Sequence, residues 1–157
     1  MPTETSDEWE IRNLIARYAE LLNLGRIDEV GALFRHGKIT SEITPGAREG
    51  SEAVTEMYRQ SVHFAEKMPD TLLFTSNLQI SVDGDHASGK AYFMALHVTP
   101  EGMLAPVVAG RYHDEFRRID GTWWFHHRHM MPDLHGDISS HLTTTLEPRP
   151  GSPSASE

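Results

Sequence analysis

Residues 104–131 read LAPVVAGRYHDEFRRIDGTWWFHHRHMM. Two long runs rich in β-branched and aromatic side chains, 104–119 and 122–131, are joined by Asp120-Gly121. An Asp-Gly pair between such runs is the sequence signature of a tight β-hairpin, because both central residues of the turn need positive φ. Working outward, Pro100-Glu101-Gly102 and Asp83-Gly84-Asp85 set off two further runs, 86–99 and 71–82. Four successive strands with short turns make an antiparallel meander.

Upstream the period changes from two to 3.6. Ile11, Leu14, Ile15, Tyr18 and Leu22 fall on one stripe of an amphipathic helix over 7–24, with Asp7 and Glu10 as a capping pair and Gly25 as its stop. A second helix over 27–35 presents Ile27, Val30, Leu33 and Phe34 and ends at Gly37. A short strand is expected at 38–44. A third helix, about 52–67, is capped by Ser51, carries Val54, Met57, Tyr58 and Val62 on its apolar side, and closes at Pro69. Helices followed by a meander give an α+β fold, with the helices laid across one face of a curved sheet.

The chain has 157 residues, the size of one domain, and one domain is expected over 1–142. From Thr143 onward the prolines and small residues read as a disordered tail, 143–157. There is no cysteine, so disulfides, thiolate nucleophiles and Cys-based metal sites are excluded. A net charge of −9 without a basic stripe speaks against nucleic acid and anionic membranes as partners. No apolar window approaches a membrane span, and the opening MPTETSDEWE is too polar for a secretory signal, so a cytoplasmic location is expected.

Particular residues narrow the fold. Arg17-Tyr18-Ala19, Asn23-Leu24-Gly25 and Ala32-Leu33-Phe34 resemble the opening of SnoaL-like proteins. Ala109 to Phe116 followed by Asp120-Gly121-Thr122-Trp123, and the ending Asp133 to Leu142, are similar to later parts of the same group. The resemblance spans about 8–142. It implies the cone-shaped, cystatin-like fold shared by SnoaL-like polyketide cyclases, scytalone dehydratase, ketosteroid isomerase and the wider nuclear transport factor two-like superfamily: a bent sheet wrapped around three N-terminal helices and enclosing a pocket.

The resemblance also implies site residues. Tyr18 matches the oxyanion-hole tyrosine of ketosteroid isomerase, Asp114 its protonated second donor, and Glu42 its general base, with Glu in place of Asp. For each a structural alternative stands: Tyr18 as a core ring, Asp114 as a structural partner of Arg128, Glu42 as an exposed strand residue. If Asp114 faces inward, Gly110, Tyr112 and Phe116 share its face, and Arg111, His113 and Glu115 point away. Arg128 matches a pocket arginine of the dehydrohalogenase branch. That puts Trp124, His126 and Met130 inside and His127 and His129 outside, unless bulges invert the phase. His97 matches a second pocket histidine of scytalone dehydratase; the alternative is a solvent-facing strand end. The Asp–His dyad of the dehydratases is replaced by Asn23 and Leu73, which argues against elimination by that dyad. Leu22 and Tyr58 complete the expected wall.

These residues support three functions. The first is a cofactor-independent acid–base isomerase or cyclase acting on a hydrophobic, ring-containing carbonyl compound, polyketide- or steroid-like. Tyr18, Asp114, Glu42, His97 and Arg128 supply its acids, bases and anion clamp. The second is a ligand-binding or partner subunit without turnover. The third is an epoxide-opening or dehydrating enzyme. No cofactor or metal is expected: the histidines at 113, 127 and 129 lie on the outer face and lack carboxylate companions. Together with Trp123 they suggest a homodimer or higher homo-oligomer formed through that face.

Overall fold

The computed structural model describes residues 6–61, 64, 65, 68, 69 and 71–136. The tail read over 143–157 and the motif from Asp137 to Leu142 lie outside the described residues. The elements run α1 (Asp7–Asn23), α2 (Ile27–Ala32), β1 (Lys38–Ser41), β2 (Arg48–Glu49), α3 (Gly50–Ser61), β3 (Phe64–Ala65), β4 (Met68–Pro69), β5 (Thr71–Asp83), β6 (His86–Val98), β7 (Leu104–Ile119) and β8 (Thr122–His135). The large sheet has the order β2-β1-β8-β7-β6-β5, and β3 and β4 pair by themselves. This is the expected α+β architecture, with one refinement. The meander β5–β8 is antiparallel, but β1 runs parallel to β8, so the sheet is mixed and does not close.

Local chemistry explains most element boundaries. Ser6, not Asp7, caps α1: its side chain accepts from the Trp9 amide. Asp7 is used elsewhere. Its carboxylate accepts from Arg118 at 2.6 Å and from the Trp123 indole at 2.9 Å, pinning the start of α1 to the β7–β8 hairpin. Gly25, at φ +69°, turns the chain out of α1, which is the left-handed stop glycine permits. The third helix is shorter than the reading of 52–67, and Pro69 sits in β4 rather than at a helix end.

Register shifts bend the sheet. They fall between Ser76 and Gln79, Ala95 and Leu96, Ala109 and Gly110, and Glu115 and Phe116. Each inserts an extra residue on one strand, which kinks it and raises its twist. Helix α1 lies in the resulting concavity. Ile11, Ile15, Tyr18 and Leu21 pack there with Val30 and Phe34 of the α2 region and with Phe116 and Phe125 of the sheet. The Phe34 and Phe125 rings stack at 4.8 Å.

The shift at Glu115/Phe116 overturns part of the expected facing. His127 pairs with Glu115 and Phe125 with Phe116, so His126 is the extra residue on β8. Beyond it the alternation inverts. Trp123 and Phe125 enter the core, and Trp124 faces outward against His36 and Arg35. Trp124 and His126 are therefore not pocket residues, and Trp123, 4 % exposed, is not part of an outer aromatic surface.

Candidate functional site

A cavity of about 350 Å³ opens between α1, α3 and the concave face of the sheet. That is a normal size for a small-molecule site. Its wall is mainly apolar, with Leu22, Ile39, Met57, Leu73, Phe93 and Met130 among the lining residues. Three tyrosines interrupt it: Tyr18 from α1, Tyr58 from α3 and Tyr112 from β7.

The three phenols meet. The Tyr18 hydroxyl is hydrogen-bonded to the Tyr58 hydroxyl and also interacts with that of Tyr112. The Tyr18 ring stands edge-on to both others, at 6.3 Å and 6.2 Å between centroids. Phe93 stacks on Tyr112 at 4.4 Å and fixes its plane. Burial pushes the Tyr58 and Tyr112 hydroxyls well above the ordinary phenol range, and neighbouring phenols add to the rise. Both stay protonated across the physiological range. A phenol has one proton to give. Three phenols that share the Tyr18–Tyr58 hydrogen bond keep protons to offer a ligand oxygen.

Beneath the tyrosines sits a buried ion pair. Arg128 Nε and Nη2 donate to the two Asp114 carboxylate oxygens at 2.8 and 2.7 Å. The two side chains are 0 % and 1 % exposed. The guanidinium carbon lies 3.8 Å from the Tyr112 ring centre, 4.3 Å from Tyr18 and 4.7 Å from Phe125. Its Nη1 has no hydrogen-bond partner and lies within this aromatic cage. Burial opposes the charge on Arg128, but Asp114 outweighs it, and the net effect raises the guanidinium's pKa. Both Asp114 oxygens are taken up by Arg128, and neither side chain lines the cavity. Asp114 accepts two hydrogen bonds here instead of donating one to a ligand, so the pair acts as a platform that holds Tyr18 and Tyr112.

The other expected site residues separate. Glu42 is exposed and outside the cavity, although its amide still donates to the Met130 carbonyl at 3.1 Å just past the end of β1. His97 is buried beyond Ala95 on β6 and is not among the lining residues. Gly110 marks a strand approach: a Cβ there would lie 2.1 Å from the Met131 carbonyl oxygen, so the position needs glycine for packing and it does not line the cavity. Asn23 and Leu73 do line it, and they are bonded together. Asn23 Nδ2 donates to the Leu73 carbonyl at 3.1 Å, and the Leu73 amide donates to Asn23 Oδ1 at 2.8 Å. The side chain thus imitates a strand neighbour and ties the end of α1 to β5.

Two features escaped the sequence reading. One is that no Asp, Glu or His occurs among the described lining residues. The other is Arg48, the one charged side chain among them. On the outer face, Thr40 Oγ1 lies 2.7 Å from both His127 Nε2 and His129 Nδ1. No group of three or more His, Asp or Glu side chains suited to a metal ion occurs among the described residues.

The sequence profile of the SnoaL-like domain matches residues 3–129, most of the chain. The chain belongs to the SnoaL-like family. Solved structures similar to this SnoaL-like protein include three from Novosphingobium aromaticivorans. An NTF2-like protein with a cystatin-like fold has a TM-score of 0.70 at 20 % identity, covering 85 % of this chain and 86 % of that one. A candidate scytalone dehydratase has a TM-score of 0.67 at 22 % identity, covering 83 % and 87 %. A candidate aromatic ring hydroxylase has a TM-score of 0.67 at 22 % identity, covering 85 % and 94 %. At these identities the likeness establishes the fold alone. No curated protein matches in sequence. No helix among the described residues is long and apolar enough to cross a membrane.

Proposed function

We propose that this SnoaL-like protein binds a hydrophobic, ring-containing carbonyl compound and polarises its oxygen with the Tyr18–Tyr58–Tyr112 cluster, as the electrophilic half of a cofactor-independent isomerase or cyclase. The observation that carries the reading is the meeting of three phenols on the wall of a mainly apolar cavity. A preorganised donor in a water-poor site stabilises an oxyanion far better than water does.

The missing base narrows the chemistry. With no carboxylate or imidazole among the described lining residues, the suitable substrate supplies its own nucleophilic carbon. A 1,3-dicarbonyl compound does so through its enol. The enol carbon forms a bond to the polarised carbonyl carbon, and that carbonyl's π pair moves onto oxygen. A tyrosine protonates the new alkoxide. The enol O–H loses its proton to water, which returns one to the phenol cluster.

The same lack of a base favours a second reading, binding without turnover. Ring closure of an aryl triketone, followed by its ultraviolet spectrum, separates the two: catalysis accelerates it, whereas a binding protein leaves it at the rate in solution. For the shared binding step, 2-naphthol and naphthalene are compared by fluorescence titration. The hydroxyl compound is expected to bind more tightly, and Tyr18→Phe to reduce that advantage by up to about tenfold, the value of one hydrogen bond. Equal binding of the two compounds would contradict the reading.

We also propose that two copies associate through the outer face of the sheet and that the protein works in the cytoplasm. Support for association comes from a register row across four strands, Phe74, Met94, Ala109 and Leu134. Phe74 is 50 % exposed and Leu134 70 %, with Leu72 and Tyr92 beside them. A contiguous apolar surface of this kind marks an interaction site. Light scattering is expected to show a dimer that Phe74→Glu dissociates; a wild-type monomer at micromolar concentration overturns the proposal.

A further inference from the structure

Arg48 belongs to the two-residue strand β2, where its register partner on β1 is Ile39, a core residue 1 % exposed. Partners in an antiparallel pair point to the same side of the sheet. Arg48 therefore leaves the backbone toward the interior and reaches the cavity wall. It is half-buried there.

Three further observations bear on it. The chain is acid-rich, with 23 Asp and Glu against 14 Lys and Arg, and arginines elsewhere have found carboxylates, Arg59 with Asp28 and Arg111 with Asp133 among them. The Arg48 side chain has neither an ion pair nor a hydrogen bond with any of the described residues. Its Nη1 is backed by Gly46, where an added Cβ would lie 3.4 Å away, so the guanidinium rests against main chain at a position of φ +82°. A half-buried guanidinium with its donors unused, in a cavity wall lacking any described carboxylate, is a site for an anion.

We propose that Arg48 anchors a carboxylate of the ligand, so that the natural ligand is a hydrophobic ring-containing acid with its carboxylate at Arg48 and its carbonyl or hydroxyl oxygen at the tyrosine cluster. This rests on the reading of the cavity as the ligand site and adds the chemical class of what enters it. The two anchors, one cationic and one phenolic, lie in the same mainly apolar cavity wall and fix which end of the ligand goes where.

The test compares 6-hydroxy-2-naphthoate with 2-naphthol, which has the same rings and hydroxyl but no carboxylate, by fluorescence titration at pH 7. The wild-type protein is expected to prefer the acid by about tenfold or more, the usual value of a charge-assisted hydrogen bond. The preference shrinks with added salt. Arg48→Gln abolishes the preference while leaving 2-naphthol affinity within twofold of wild type, and Arg48→Lys retains part of it. Because the Arg48 side chain has no partner among the described residues, the variants are expected to melt with wild type. If 2-naphthol binds but the acid shows no advantage, or if Arg48→Gln keeps the advantage, the anchor is wrong and the cavity reading survives. If neither compound binds the wild-type protein, the cavity reading falls and takes the anchor with it.

Discussion

Replacing Asp114 by Asn leaves Arg128 charged, fully buried and facing a neutral amide. The wild-type pair is bidentate, at 2.8 and 2.7 Å, with no solvent on the guanidinium. Breaking a buried pair by removing one partner costs about 3–5 kcal/mol, because the remaining charge has no water to turn to. Total stability of a domain is about 5–15 kcal/mol, so the loss is a large part of it. For a domain of this length each kcal/mol moves Tm by roughly 2–4 °C, which gives a drop of about 6–20 °C for Asp114→Asn. Asp114→Leu is expected to fall at least as far, because it removes both acceptors. Removing both charges, in Asp114→Leu with Arg128→Met, should recover much of the loss, since well-packed apolar replacements of buried pairs are often neutral. Thermal and urea unfolding followed by far-UV circular dichroism measures all three. If Asp114→Asn melts within about 2 °C of wild type, the pair does not support the tyrosines as argued, and the assignment of Asp114 as a platform residue is wrong.

Other outcomes follow from particular contacts. Asn23→Asp sets a carboxylate oxygen against the Leu73 carbonyl in place of the donated hydrogen bond at 3.1 Å. A loss of about 1–3 kcal/mol in urea unfolding is expected, and adding Leu73→His to rebuild the dyad is expected to bring no elimination activity. His127 is held below the ordinary histidine range first by burial and then by Lys38. The unfolded chain therefore takes up the proton first. The neutral ring's contribution to stability is fully present above about pH 6.5 and is lost as pH falls through the folded-state value. His127→Gln should flatten the dependence of the urea midpoint on pH between 7.5 and 5, and an unchanged slope would count against it. Gly31→Ala places a Cβ 2.0 Å from Thr55 Oγ1 and 2.5 Å from the Ser51 carbonyl, an overpacking expected to cost about 1–3 kcal/mol by the same unfolding assay; no measurable loss would show that the α2–α3 contact can spread.

The sequence disclosed the fold through features that need only local chemistry. The stripe from Ile11 to Leu22 and the Asp120-Gly121 turn each have a periodicity or a positive φ that few alternatives satisfy. What it hid depends on single-residue insertions. The extra residue at His126 reverses which tryptophan is buried, and nothing in Trp123-Trp124 tells a reader which one that is. Tyr18, Tyr58 and Tyr112 were all named as site residues, but their convergence requires the crossing of α1, α3 and β7, which no spacing encodes. Glu42 is matched to a general base only through the resemblance to ketosteroid isomerase, and the structure leaves it exposed just past the end of β1 at Ser41. Arg48 falls between the strand expected at 38–44 and the helix expected from about 52. Its pairing with Ile39 in a two-residue strand, too short for a hydrophobic pattern, is what turns it inward.

The central claim is that the tyrosine cluster receives a ligand oxygen, and a crystal structure with 2-naphthol bound tests it most directly. The expected result is density in the cavity between α1 and the sheet, with the naphthol oxygen about 2.6–3.0 Å from one of the hydroxyls of Tyr18, Tyr58 or Tyr112. Density with the oxygen turned to the cavity mouth and the tyrosines facing only hydrocarbon, or density confined to the outer face of the sheet, would contradict it.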